Sequence, residues 1–322
     1  MNTVRFILAI TLLLITAGGC KKNKIEPADV VKIETGTTAR LNRVQFINDS
    51  VCIAVGGDRF FTAEMVSSYD GGNSWTKTSH PDAGKGLYGM TASGNTVYAC
   101  GVDGKLMTSK DAGKNWALHQ MNYWRFFNSV AVADNGHCVM VSTDGQNFGT
   151  IFRIDSTYNV IDTTRLGFGL NDIAMPTPTT GYLAAFGAVL KTTDGGATWN
   201  YLDVKNDNFM SVHCLNEREV WVCGYRGTIF HTSDGGATWD KLRNGNQLVQ
   251  KNYLMLDVLF KDASTGWICG EEGLLLQTTN GGKDWKQFDN FTDYALRDMT
   301  LTPDGSLIVV GDHGTMYKVY LK

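Results

Sequence analysis

Prolines are scarce, at 5 in 322 residues, and charged residues make up only 19% of the chain. Neither sign dominates: 29 Lys and Arg face 32 Asp and Glu, a net charge of −3. A nucleic-acid binder would carry a basic excess or a basic cluster, and neither is present, so nucleic acid is excluded as a partner. The six histidines (His80, His119, His137, His213, His231, His313) show no paired ligand spacing, so no metal site is expected. No Ser–His–Asp set follows from spacing, and no glycine loop has the context of a phosphate cradle, so no cofactor is expected either. The apolar run Phe6–Ala17 is too short to cross a bilayer as a helix.

That short run fits a signal segment instead. Arg5 precedes it and Gly18-Gly19-Cys20 follows, an arrangement that resembles a bacterial lipoprotein signal, with Ala17 where leucine is usual. Residues 1–19 are therefore expected to be the signal peptide, with Cys20 lipidated and residues 20–29 a tether that opens with Lys21, Lys22 and Lys24. The implied location is the bacterial cell envelope, lipid-anchored and periplasm-facing, at the outer membrane. The competing reading is an ordinary cleaved signal with an incidental cysteine. Six other cysteines remain, and Cys100, Cys223 and Cys269 each sit directly before a glycine at one recurring strand position. Equivalent positions in different repeats lie too far apart to bridge, so buried free thiols are expected.

Glycine is abundant, with 36 residues, and no Gly-X-Y period accompanies it. Many tight turns between short strands are implied. Five segments repeat in phase as Ser/Thr-x-Asp-x-Gly-x-x-Trp, carried by Asp70 and Trp75, Asp111 and Trp116, Asp194 and Trp199, Asp234 and Trp239, and Asn280 and Trp285, with Asn280 the one departure at the acid. Glycine supplies the positive φ of a tight hairpin turn, the Asp and Ser/Thr oxygens bind backbone N–H groups, and Trp covers the hairpin. Between these boxes, alternating segments such as Phe209–Cys214, Val220–Gly224 and Gly227–Thr232 read as strands.

Four strands per unit of about 40 residues is the signature of a propeller blade. Seven units begin near Leu41, Leu87, Phe127, Leu170, Phe209, Leu256 and Leu296. The third has Ser156-Thr-Tyr-Asn159 where its box should be, and the seventh stops one strand short. Residues 30–36 form a strand without a blade, expected to complete the seventh and close the ring. The prediction is an all-β, seven-bladed β-propeller over residues 30–322.

Asp boxes combined with Leu-x-Asp-Val-x-Phe first strands and Gly-x-x-Gly-x-Ile/Leu third strands resemble the photosystem II stability/assembly factor-like propellers. Residues 256–285 are the closest match, and the likeness covers roughly 41–322. It implies a non-enzymatic assembly factor that holds a membrane-protein client. Sialidase-like glycoside hydrolases also carry Asp boxes, at the blade periphery, and supply the alternative: a hydrolase or a glycan-binding propeller. Such an enzyme needs three arginines to clamp a carboxylate, and Arg43, Arg125 and Arg297 lie at or just before first strands.

Partner binding is expected on the face built by the loops between blades and between second and third strands, opposite the Asp-box turns. Candidates there are Tyr123, Trp124, Arg125, Tyr253, Tyr294 and Arg297, with Arg226, Glu271, Glu272 and His313 from the second-to-third loops. The aromatics could equally pack between blades, and the mixed charges could be plain solvated surface. The partner is expected to be a protein, or else a glycan, and the chain a monomer.

Overall fold

The computed structural model describes residues 24–80, 82–133, 136–144, 147–247 and 252–321. The signal peptide 1–19 and Cys20 lie outside them. Six four-stranded sheets and one five-stranded sheet follow one another as seven blades, each built on four antiparallel strands and numbered here in chain order from Leu41. Within each blade the strands run from the innermost to the outermost in sequence order. Blade 7 is completed from the other end of the described chain: strand Asp29–Lys32 pairs antiparallel with Met316–Tyr320, Val30 facing Val319. This strand closes the ring, as expected from its surplus in the sequence. One strand was not anticipated. Lys24–Ile25, placed in the tether by sequence, pairs parallel with Lys286–Phe288 and makes blade 6 five-stranded.

Each second strand is buried on both faces between neighbouring blades. Val220–Gly224, Gly266–Gly270 and Leu307–Gly311 are buried throughout, which is why they read as continuous apolar runs rather than alternating ones. Seven apolar clusters fill the seven interblade seams; the last joins Ile308, Val310 and Met316 of blade 7 to Leu41, Val44 and Val66 of blade 1. Cys52, Cys100, Cys138, Cys223 and Cys269 are buried within these clusters or beside them as free thiols, and Cys214 is half-buried and free.

The Asp-box turns join third to outermost strands and work as the sequence suggests. In blade 4, Thr192 Oγ1 donates to Asp194 (2.8 Å) and accepts from Gly196 N (3.0 Å), while Asp194 accepts from Thr198 N (2.9 Å). Gly195 and Gly196 take φ of 69° and 86°, a conformation that penalises other residues. Trp199 donates back to Gly196 O at 3.1 Å and packs into the seam with blade 3.

Blade 3 lacks the motif but keeps the mechanism. Asp155 accepts from Thr157 N and Asn159 N, both at 2.9 Å. Tyr158 packs toward blade 2, 3.9 Å from the His119 ring, where the other blades use Trp.

Candidate functional site: the loop face and the channel behind it

All seven first strands carry a β-bulge at their second residue, so the pairing skips Asn42, Tyr88, Asn128, Asn171, Met210, Leu256 and Arg297. Together with Arg43, these seven residues line the loop-side mouth of the central channel. Three of them tie their blade to the next: Asn42 to Leu87 O, Asn128 to Leu170 O and Asn171 to Phe209 O, each at 2.7 Å.

The third residue of each first strand forms a second ring: Arg43, Gly89, Ser129, Asp172, Ser211, Asp257 and Asp298. At three of these positions a side chain accepts a backbone N–H of the following blade. Asp172 takes Val212 N (3.1 Å), Ser211 takes Val258 N (3.4 Å), and Asp298 takes Val44 N (2.6 Å) across the closing seam. Gly89 belongs to the ring because a Cβ there would lie 2.6 Å from Ser129 Cα.

Arg43 crosses the channel between Asp172 (2.6 Å) and Asp298 (3.2 Å), which belong to blades 4 and 7. These two carboxylates outweigh the cost of burial and keep Arg43 charged. Burial raises Asp298 to about 6 despite Arg43. Burial also holds Asp257 well above the ordinary range, and neighbouring Asp298 reinforces this. Behind Arg43, toward the Asp-box side, the channel widens into a cavity of about 650 Å³.

The loop face is different. Residues 58–62 of blade 1 form a turn that displays Phe60 and Phe61, 55% and 77% exposed, and Trp124 between blades 2 and 3 is 79% exposed. Phe148 and Phe186, on the second-to-third loops of blades 3 and 4, extend this aromatic arc. The Arg59 guanidinium lies over the Phe126 ring at 4.1 Å and the Phe60 ring at 5.2 Å. It forms no ion pair among the described residues. A groove of about 710 Å³ runs beside it, lined among others by Arg40, Asp58, Asp144 and Asp312.

The sequence candidates share this face but not one patch. Trp124 projects, whereas neighbouring Tyr123 lies edge-on to Phe152 at 4.9 Å and is partly spent on packing. Tyr253 is half-buried, 4.8 Å beneath Arg243. Arg226 projects freely while its backbone N is held by Asp207 at 3.0 Å. Glu271 and Glu272 occupy a single 3-10 turn, Glu272 with a left-handed φ of 56°. Tyr294 meets His313 with ring centroids 4.5 Å apart. Arg297 binds Asp312 at 2.5 and 3.0 Å, and Arg40 joins them at 2.9 Å. Despite its burial, Asp312 is held below the ordinary range by these two arginines.

The three arginines considered as a carboxylate clamp are committed to resident carboxylates. Arg43 is held by Asp172 and Asp298, Arg297 by Asp312, and Arg125 by Asp144. Arg43 and Arg297 line one mouth, and Arg125 is not among its lining residues.

Sequence reasoning passed over Asp172, Asp257 and Asp298, although Leu/Met-x-Asp followed by an apolar residue repeats them at one strand position. It also passed over Arg59, Phe60 and Phe61. An apolar pair where turn residues belong was the available signal there.

Bulged first strands around a channel crossed by Arg43, with aromatic loops on one face, define a seven-bladed β-propeller. The chain belongs to the photosynthesis system II assembly factor YCF48 family, whose model matches residues 155–320. Two solved members of that family superpose over most of both chains. YCF48 bound to a D1 peptide is 16% identical with a TM-score of 0.68, over 93% of this chain and 98% of that one. YCF48 from Cyanidioschyzon merolae is 15% identical with a TM-score of 0.70, over 91% and 99%. A catalytically inactive virginiamycin B lyase from Staphylococcus aureus is 11% identical with a TM-score of 0.72, over 91% and 99%, so at this level the likeness speaks for fold alone. No curated protein matches the chain.

Proposed function

We propose that this propeller is a non-enzymatic scaffold, lipid-anchored through Cys20 in a bacterial envelope and facing the periplasm, that holds a protein client on its loop face. The observation that carries this reading is the aromatic arc. Phe60, Phe61 and Trp124 are exposed on loop tips of blades 1 to 3, where no packing requirement places them. Family membership supports it, as does the peptide bound by one solved family member. The channel carboxylates support the non-enzymatic part, because Asp172 and Asp298 are occupied in holding blades together and neutralising Arg43.

Crosslinking of intact membranes followed by purification tests the proposal. A discrete membrane-protein client should be recovered, and Phe61→Ser with Trp124→Ser should weaken its capture roughly 30-fold or more without lowering the thermal midpoint. Turnover of aryl-glycosides or sialosides that disappears in Arg125→Ala or Arg297→Ala would overturn it. Anchoring is checked separately by palmitate labelling, which Cys20→Ala should abolish along with membrane partitioning.

A further inference from the structure

The edge strand Lys24–Ile25 has a direction, and that direction has consequences for how the molecule meets a membrane. It pairs parallel with Lys286–Phe288, the outermost strand of blade 6, with Lys24 opposite Gln287 and Ile25 opposite Phe288. Lys286–Phe288 leaves the Asp-box turn of blade 6 and runs toward the loop face. A parallel neighbour must therefore enter from the Asp-box end. The strand is also fastened: Lys24 Nζ binds Asp289 at 2.6 Å, Asp289 N donates to Ile25 O at 3.2 Å, and Ile25 packs into the cluster that holds Phe288. Only Lys21, Lys22 and Asn23 separate Cys20 from it. Four Cα steps reach at most about 15 Å, which is less than the height of a blade.

We propose that a lipid on Cys20 fixes the orientation of the propeller, with the Asp-box rim of blade 6 against the lipid surface and the loop face turned away from it. The inference rests on the lipidation reading above. A flexible tether running from Cys20 to residue 29 would let the propeller tumble, whereas a strand fastened at residue 24 does not. The aromatic arc then faces outward, so the client segment it takes lies outside the bilayer rather than within it.

Energy transfer on the full lipoprotein tests this. The protein is reconstituted into phosphatidylethanolamine/phosphatidylglycerol vesicles carrying a headgroup acceptor dye. Donor dyes are placed by Lys283→Cys on the Asp-box turn of blade 6 or by Asp293→Cys at its loop end, both exposed positions. The two sites differ by roughly 20 Å along the strands, and transfer from the Lys283→Cys protein should be about twofold or more the greater. Arg218→Cys and Arg226→Cys on blade 5 repeat the comparison should either first variant misfold. Equal or reversed transfer overturns the orientation. A twelve-residue Gly/Ser insertion after Lys22 should erase the difference, and persistence of the difference would show that the short tether is not its cause. Failure of the anchor itself looks different: neither donor shows transfer, and palmitate labelling is absent.

Discussion

Asp257 and Asp298 sit at the same strand position one blade apart, both buried, yet they face different company. Asp298 has Arg43 and the Val44 N–H, while Asp257 has the Ser211 hydroxyl at 2.7 Å. Burial, reinforced by the neighbouring Asp298 carboxylate, raises Asp257 well above the ordinary range. The sign follows from linkage. A carboxyl raised in the folded state binds more protons there than in the unfolded chain once pH exceeds about 4. Stability therefore falls as pH rises from about 4 toward the folded value, by up to ~1.4 kcal/mol per pH unit. Asp257→Asn imitates the protonated acid and should flatten that fall, leaving urea midpoints at pH 5 near wild type and raising them at pH 8. A variant weakened equally at both pH values would show that Asp257 is charged after all. Asp298→Ala should behave otherwise, costing about 3 kcal/mol at neutral pH because Val44 N and Arg43 lose a buried partner. The Asp-box carboxylates act in the opposite window. Hydrogen bonds from Ser74 and Asn115 depress Asp70 and Asp111 to about 2, so their contribution is complete above about 4 and lost below it. Mildly acidic pH should be the optimum.

At the scale of elements, the boxed hairpin is a self-contained device, and blade 3 shows which parts of it matter. Asp155 supplies the turn bonds and Tyr158 covers the seam with blade 2. Tyr158→Ala should therefore cost about 2 kcal/mol, as should Trp199→Ala in blade 4, and Tyr158→Phe should retain most of the packing; thermal denaturation of the three variants decides it. A Tyr158→Ala protein as stable as wild type would mean that blade 3 closes by other means. The same contrast explains what was legible in the sequence. A box spans eight residues and makes its own bonds, so its residue types and spacing announce it. First strands were legible because bulge and ring repeat every unit. Arg43 was not legible in its role, since its partners come from blades 4 and 7 and no local pattern links them. Lys24–Ile25 carries no strand signal at all, being two residues long and held by an edge it did not choose. The loop aromatics were half legible. Tyr123, Trp124 and Tyr294 stood out, but exposure separates Trp124 from Tyr123, and only the fold reveals exposure.

For the molecule as a whole, the ring must close before the seam between blades 7 and 1 is complete. Blades 1 and 7 meet through the Val44–Asp298 hydrogen bond, the shared apolar cluster, and the strand Asp29–Lys32 that gives blade 7 its outer edge. Removing that strand exposes the edge Met316–Tyr320, with Tyr317 and Val319 losing their cover, and offers an unpaired template to other chains. A chain beginning at Ile33 should lose cooperative unfolding and self-associate, as seen by light scattering and a broadened calorimetric transition. A chain beginning at Glu26 loses only the fifth strand of blade 6, whose packing rests on Ile25 and the Lys24–Asp289 pair. Side chains exposed at this level contribute little, about 1 kcal/mol in total. That second protein should remain a cooperative monomer with a midpoint within a few degrees of the longer one. If both truncations behave alike, ring closure does not depend on Asp29–Lys32, and the seam between blades 7 and 1 is strong enough alone. If the contrast holds, the two N-terminal strands have separate tasks: one completes the fold, and the other fixes the point from which the folded molecule is held.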